Sequence, residues 1–95
     1  MFSINQNKGF TMTFENGNTI SVQFGSFNYC ANRMNGTEYK HEMKQDKTSC
    51  ENAEIAIWNN AGVWYDFGND VVKGWCSVSE VMEWANKAEK GELQF

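Results

Sequence analysis

Three cysteines and one histidine, Cys30, Cys50, Cys76 and His41, are the residues of this chain best suited to hold a metal or to pair a nucleophile with a base. Three thiolates and an imidazole make a zinc donor set. Structural zinc sites, however, bring their ligands in close pairs, and the gaps here are long and irregular. A Cys–His pair needs its base oriented by a third group. His41 stands alone in a charged run between Asn35 and Lys47. Asp66 and Asp70 bracket Gly68-Asn69 and read as turn-forming carboxylates. Glu80 is absorbed by a helix start. No nucleophile elbow, phosphate loop or dinucleotide fingerprint is present. The expectation is a chain with no catalytic residues, no metal and no cofactor.

A second constellation is made of rings and amides. Phe27-Asn28-Tyr29 is followed shortly by Arg33, and Trp58, Trp64, Tyr65 and Trp75 lie in the second half. Tyr, Trp and Arg are enriched at binding hot spots. Rings with Asn and Arg also sandwich a nucleobase. The plainer alternative is that they fill a core and line one edge. The chain has four Trp, seven Phe and three Tyr, more than a minimal core needs, so these eight residues are the candidate binding residues. The net charge of −4 and pI of about 4.8 argue against direct nucleic-acid binding, which calls for a basic stripe. The same charge permits steering onto a basic surface of a protein partner.

These residues need a frame. Phe10-Thr11-Met12-Thr13-Phe14 and Ile20-Ser21-Val22-Gln23-Phe24 alternate apolar and polar around Glu15-Asn16-Gly17-Asn18-Thr19. That is a β-hairpin with one apolar face. Parity calls for an odd loop, most simply Asn16-Gly17-Asn18. Phe14 then pairs with Ile20, Met12 with Val22 and Phe10 with Phe24. Residues 2–6 can add a short edge strand. Glu54–Trp58 and Val63–Phe67 read as a second hairpin around the four-residue turn Asn59-Asn60-Ala61-Gly62. That loop puts Trp58, Val63, Tyr65 and Phe67 on one face, and Ile55, Ile57 and Trp64 on the other.

Ser77-Val78-Ser79-Glu80 is a capping box, and Gly91 is the natural stop. The helix is expected over 78–90, packed through Val78, Val81, Met82, Ala85 and Ala88, with Trp84 on the flank of that stripe. Residues 26–52 form a long connection, with a short helix conceivable near 38–45. The fold class is therefore α+β: one domain, 1–95, with an antiparallel sheet of two β-hairpins and one C-terminal helix packed on it. Met1-Phe2-Ser3-Ile4-Asn5 lacks a basic region followed by an apolar run, and no segment approaches the ~20 apolar residues of a membrane span. A cytoplasmic setting with reduced thiols is expected, with no membrane partner.

Thr11 to Gly25, Asn28-Tyr29-Cys30, and Trp58-Asn59-Asn60-Ala61-Gly62-Val63-Trp64 together resemble short, uncharacterised proteins encoded by bacteriophages and prophages. The resemblance covers about two thirds of the chain and brings no family function. It implies a setting, the cytoplasm of a host cell, where small acidic phage proteins block defence systems by binding. The function expected is thus non-enzymatic inhibition of a host defence protein, for example a CRISPR nuclease, by occupying its basic surface. The alternatives are a protein that sequesters a nucleotide-like signal through its rings and Arg33, a phage structural or assembly protein, and a metal-linked or Cys-dependent enzyme.

Overall fold

A computed structural model describes residues 1–6, 8–33 and 49–95. Five strands form one antiparallel sheet: β1 (Phe2–Ile4), β2 (Gly9–Thr13), β3 (Thr19–Gln23), β4 (Ala53–Trp58) and β5 (Lys73–Cys76). They lie side by side in chain order. The C-terminal helix α1 (Val78–Lys90) packs on one face, over β3, β4 and β5. The α+β class read from the sequence holds, and the edge strand expected in 2–6 is β1. The helix considered near 38–45 lies outside the described residues, as does His41.

The first hairpin differs from its expected register by two residues. Thr13 pairs with Thr19, Met12 with Ile20 and Phe10 with Val22. Gly17 N–H donates to the Phe14 carbonyl over 2.9 Å, and Phe14 N–H donates to the Asn18 carbonyl over 2.8 Å. The loop is therefore Glu15-Asn16-Gly17, closed by a left-handed third residue, with Gly17 at φ +90°. A slip of two keeps every side chain on its face. Phe10, Met12, Phe14, Ile20, Val22 and Phe24 all pack into the apolar core, as their alternation indicated.

The second turn repeats this geometry and overturns the expected faces. Asn59 N–H donates to the Val63 carbonyl and Gly62 N–H to the Asn59 carbonyl, both over 2.9 Å, with Gly62 at φ +79°. The loop has three residues, Asn60-Ala61-Gly62, where four were expected. Changing an even loop to an odd one inverts the returning segment. Trp64 comes opposite Trp58 and their rings stack, while Tyr65 and Phe67 turn to the helix side. Nor does 63–67 continue as a strand. After Tyr65 N–H donates to the Ile57 carbonyl, residues 66–72 leave the sheet. The edge is completed by β5, where Cys76 pairs with Ala53 and Lys73 with Ile55.

The helix begins and ends as its caps dictate. Ser77 Oγ accepts from Glu80 N–H over 3.2 Å, and Glu80 Oε1 accepts from Ser77 N–H over 3.0 Å. Gly91 is left-handed, with Gly91 N–H on the Ala88 carbonyl and Glu92 N–H on the Lys87 carbonyl. The loop of the first hairpin adds a second cap. Asn16 and Asn18 each donate a side-chain N–H to the Ala88 carbonyl over 2.9 Å, and Asn16 also reaches Glu89.

The expected packing stripe is rotated. Ala85 and Ala88 are buried and Val81 and Trp84 half-buried, but Val78 and Met82 are 73% and 56% exposed. Trp84 causes this. Its ring meets Phe67 at 4.9 Å and Tyr65 at 5.6 Å, so the bulkiest side chain of the helix turns toward the sheet and carries the stripe with it. Ile20, Ile55 and Ile57 are fully buried at the centre of the core.

Candidate aromatic and cationic binding site

Alternation along β4 places Ile55 and Ile57 under the helix and Glu54, Ala56 and Trp58 on the opposite face. Glu54 is the anchor on that face. Its carboxylate accepts from Tyr29 N–H over 2.9 Å and from the Asn28 side chain over 3.3 Å. A charge-assisted bond of this kind is stronger than a neutral one. Asn28 Oδ1 accepts from Gly25 N–H over 2.8 Å and closes the loop on itself. Asn32 then ties the loop to the Phe24 and Ser49 carbonyls, and Ala31 N–H donates to Asn52. Loop 25–33 is thus bound to the sheet at several points.

This loop meets β5 edge on. Trp75 N–H donates to the Tyr29 carbonyl over 2.8 Å, and the two rings stand 5.7 Å apart. The approach requires Gly74. A Cβ there would lie 2.6 Å from the Tyr29 Cβ and 3.0 Å from the Tyr29 carbonyl oxygen. Trp75 itself sits at φ +48°, a left-handed backbone that a bulky side chain rarely adopts. Such strain costs about 1–3 kcal/mol and collects at functional sites.

Cations complete the surface. The Arg33 guanidinium covers the Tyr29 ring at 4.5 Å and donates to the Phe27 carbonyl over 2.9 Å. The Lys8 ammonium stands 5.0 Å over the Phe27 ring. Phe27, Tyr29 and Trp75 remain 53%, 40% and 56% exposed. Five of the eight candidate residues, Phe27, Asn28, Tyr29, Arg33 and Trp75, are therefore gathered in one place. Trp58 and Trp64 form a separate stack, at 5.0 Å and 26°. Tyr65 joins Phe67, Trp84 and Phe95 in an apolar cluster.

Sequence reasoning missed Lys8, Glu54 and Gly74. The outward parity of Glu54 in an otherwise apolar strand was the available signal. Lys8 and Gly74 join the site through the β1–β2 turn and through β5, and nothing local marks either.

Two further carboxylates shape a loop, and two thiols lie in the interior. Asp66 and Asp70 accept from Gly68 and Val71 N–H within the 66–72 excursion. Cys30 and Cys76 are buried, and burial above all pushes both thiols up. Their Sγ atoms lie within reach of the Gly25 and Lys73 carbonyls. Among the described residues no group of three or more Cys, His, Asp or Glu is placed to hold a metal, and no helix is long and apolar enough to cross a membrane. No family model, curated protein or solved structure matches the chain.

Proposed function

We propose that this protein is a non-enzymatic, phage-type binding protein that inhibits a host defence protein, such as a CRISPR nuclease, by occupying a basic surface of that partner. The observation carrying this reading is the Tyr29–Trp75–Arg33 surface. Two partly exposed rings, Phe27 and Tyr29, stand on a hydrogen-bonded loop, and a third, Trp75, is presented beside them from β5 at the cost of a left-handed backbone. Rigid aromatic and Arg side chains are what hot spots are built from.

The acidic groups suited to a basic partner lie off the rings, at Asp66 and Asp70 in the excursion and at Glu83, Glu89 and Glu92 on and after α1. Rings then supply specificity and carboxylates the rate of encounter. A nucleotide-like ligand fits less well. Arg33 already lies on Tyr29 and is bound to the Phe27 carbonyl, so a base would have to displace it.

The test is a pull-down from the infected host followed by titration of the captured protein. Tyr29→Ala is expected to lose at least ~2 kcal/mol of affinity with the fold unchanged. Wild-type association should slow as salt rises. Affinity indifferent to both changes removes this surface from the interface. Steady turnover of any substrate by the purified protein overturns the non-enzymatic reading.

A further inference from the structure

One helix cannot cover five strands. A helix is about 10 Å across, whereas five strands spaced about 4.8 Å apart span roughly 20 Å. Helix α1 lies on β3, β4 and β5, and among the described residues no helix packs on β1 and β2. The open face is apolar. Phe2 opposes Met12 and Ile4 opposes Phe10, so all four share the core face. Phe2 is 77% exposed and Ile4 84%.

The flank of the helix rising beside this floor is also apolar, with Val78 and Met82 facing outward. At the foot of the rise lies a cavity of about 360 Å³, lined by Phe10, Val22, Phe24, Val81 and Met82 among others. Among the described residues of its lining, Glu51 is the one that carries a charge. Strand β1 is the edge of the sheet; its three residues include no charge and no Pro, and its shortness limits strand-to-strand pairing there, so a partner would meet its apolar face.

We propose that this step is the interface of a symmetric homodimer. In it the β1–β2 face of each copy lies on that of the other, and each β1 abuts the partner's helix flank. Three properties select a second copy as the occupant. The step is one helix high, about 10 Å, which is also the spacing of two sheets packed face to face, so two steps interlock without a gap. The shape suits an isologous contact: exposed Phe2 and Ile4 stand at one end of the floor, and the apolar cavity that would take them lies at the other. The area also suffices. Phe2, Ile4, Val78 and Met82 expose roughly 100 Å² or more each, and half-buried Phe10, Met12 and Val81 bring the total toward the ~800 Å² per partner of an ordinary interface. The surface lies on the opposite face of the sheet from Glu54 and the rings, and it is independent of the function proposed above.

Sedimentation of the full chain over a concentration series tests this directly. A dimer with a Kd of order 1–100 µM is expected. Ile4→Lys and Met82→Glu place charges on exposed positions that the monomer fold tolerates, and each should raise that Kd at least tenfold with the circular dichroism unchanged. Tyr29→Ala should leave it unaltered, which separates this result from the fate of the ring surface. In a mixed labelled sample, intermolecular contacts should join Phe2 and Ile4 of one copy to Val81 and Met82 of the other. A monomer throughout the series overturns the proposal. So does a dimer that both charged variants leave intact. So does a monomer whose cavity takes up an apolar dye, because the cavity then serves a small ligand.

Discussion

The side-chain amide of Asn18 donates to the Ala88 carbonyl oxygen over 2.9 Å, joining the first hairpin to the last turn of the helix seventy residues away. Asn16 reaches the same oxygen, and Asn18 is buried. One short turn therefore reverses a strand and satisfies a helix end. Asn18→Ala is expected to cost about 1–3 kcal/mol, the penalty for removing a partner from a buried polar group. Urea denaturation measures it. A change below ~0.5 kcal/mol would mean that Asn16 alone satisfies the carbonyl.

Trp75 opposes stability to binding. Its ring is more than half exposed and its backbone is left-handed. Trp75→Gly should stabilise the fold by about 1 kcal/mol through relief of that strain, while partner affinity falls. Gly74→Ala should do the reverse to the frame, costing roughly 1–3 kcal/mol because the added methyl meets Tyr29. Paired urea melts and titrations read both. Loss of stability in Trp75→Gly would show the ring to be structural.

The capping box makes the helix start sensitive to acid. Backbone hydrogen bonding at Ser77, above all, holds the Glu80 carboxyl below its ordinary value of 4.5. A depressed carboxylate contributes stability that is complete above its unfolded pKa and is lost as pH falls through the folded one. Stability should thus decline as pH falls below about 4.5, and less steeply in Glu80→Gln. Ser77→Ala should cost about 1 kcal/mol at neutral pH and also flatten the decline. Melts across this range decide. An unchanged slope in both variants would detach the box from the acid response.

Thiol reactivity should follow burial. All three cysteines are unbridged, with Cys30 and Cys76 buried and Cys50 half-buried. Buried, raised thiols stay protonated and react slowly. Iodoacetamide should label Cys50 first in the native protein and all three after unfolding, as read by intact mass. Equal native rates at Cys76 and Cys50 would contradict the packing of β5.

Much of this arrangement was legible in the residues, and the failures share a cause. The helix, its caps and the apolar face of the first hairpin follow from spacing alone. The turns do not follow from counting Asn and Gly. Both Gly17 and Gly62 occupy the third place of a three-residue loop, where a left-handed residue is needed. Reading each glycine as that third place yields the right register at the first turn and the right faces at the second. β5 was hidden because Lys73-Gly74-Trp75-Cys76 has no alternation. It joins the sheet by pairing with Ala53 and Ile55 of β4 and meets Tyr29 on its other side, both contacts between distant segments. The ring cluster was half legible: side-chain types singled out its members, but only tertiary pairing separates Tyr29 and Trp75 from Trp58, Trp64 and Tyr65.

The order of strands also bears on how fast the molecule assembles. Every neighbouring pair of strands but one is joined by a short or moderate loop. β3 and β4 must find each other across residues 24–52. Closing a loop of that length costs about 3 kcal/mol of chain entropy before any contact repays it. Strands β1 to β3 can form as one local unit and β4 to α1 as another, and the barrier is their meeting, where Ile20 faces Ile57 and Val22 faces Ile55. Trimming those isoleucines should slow folding. Weakening Asn18, whose bond to Ala88 forms after the halves have met, should instead hasten unfolding.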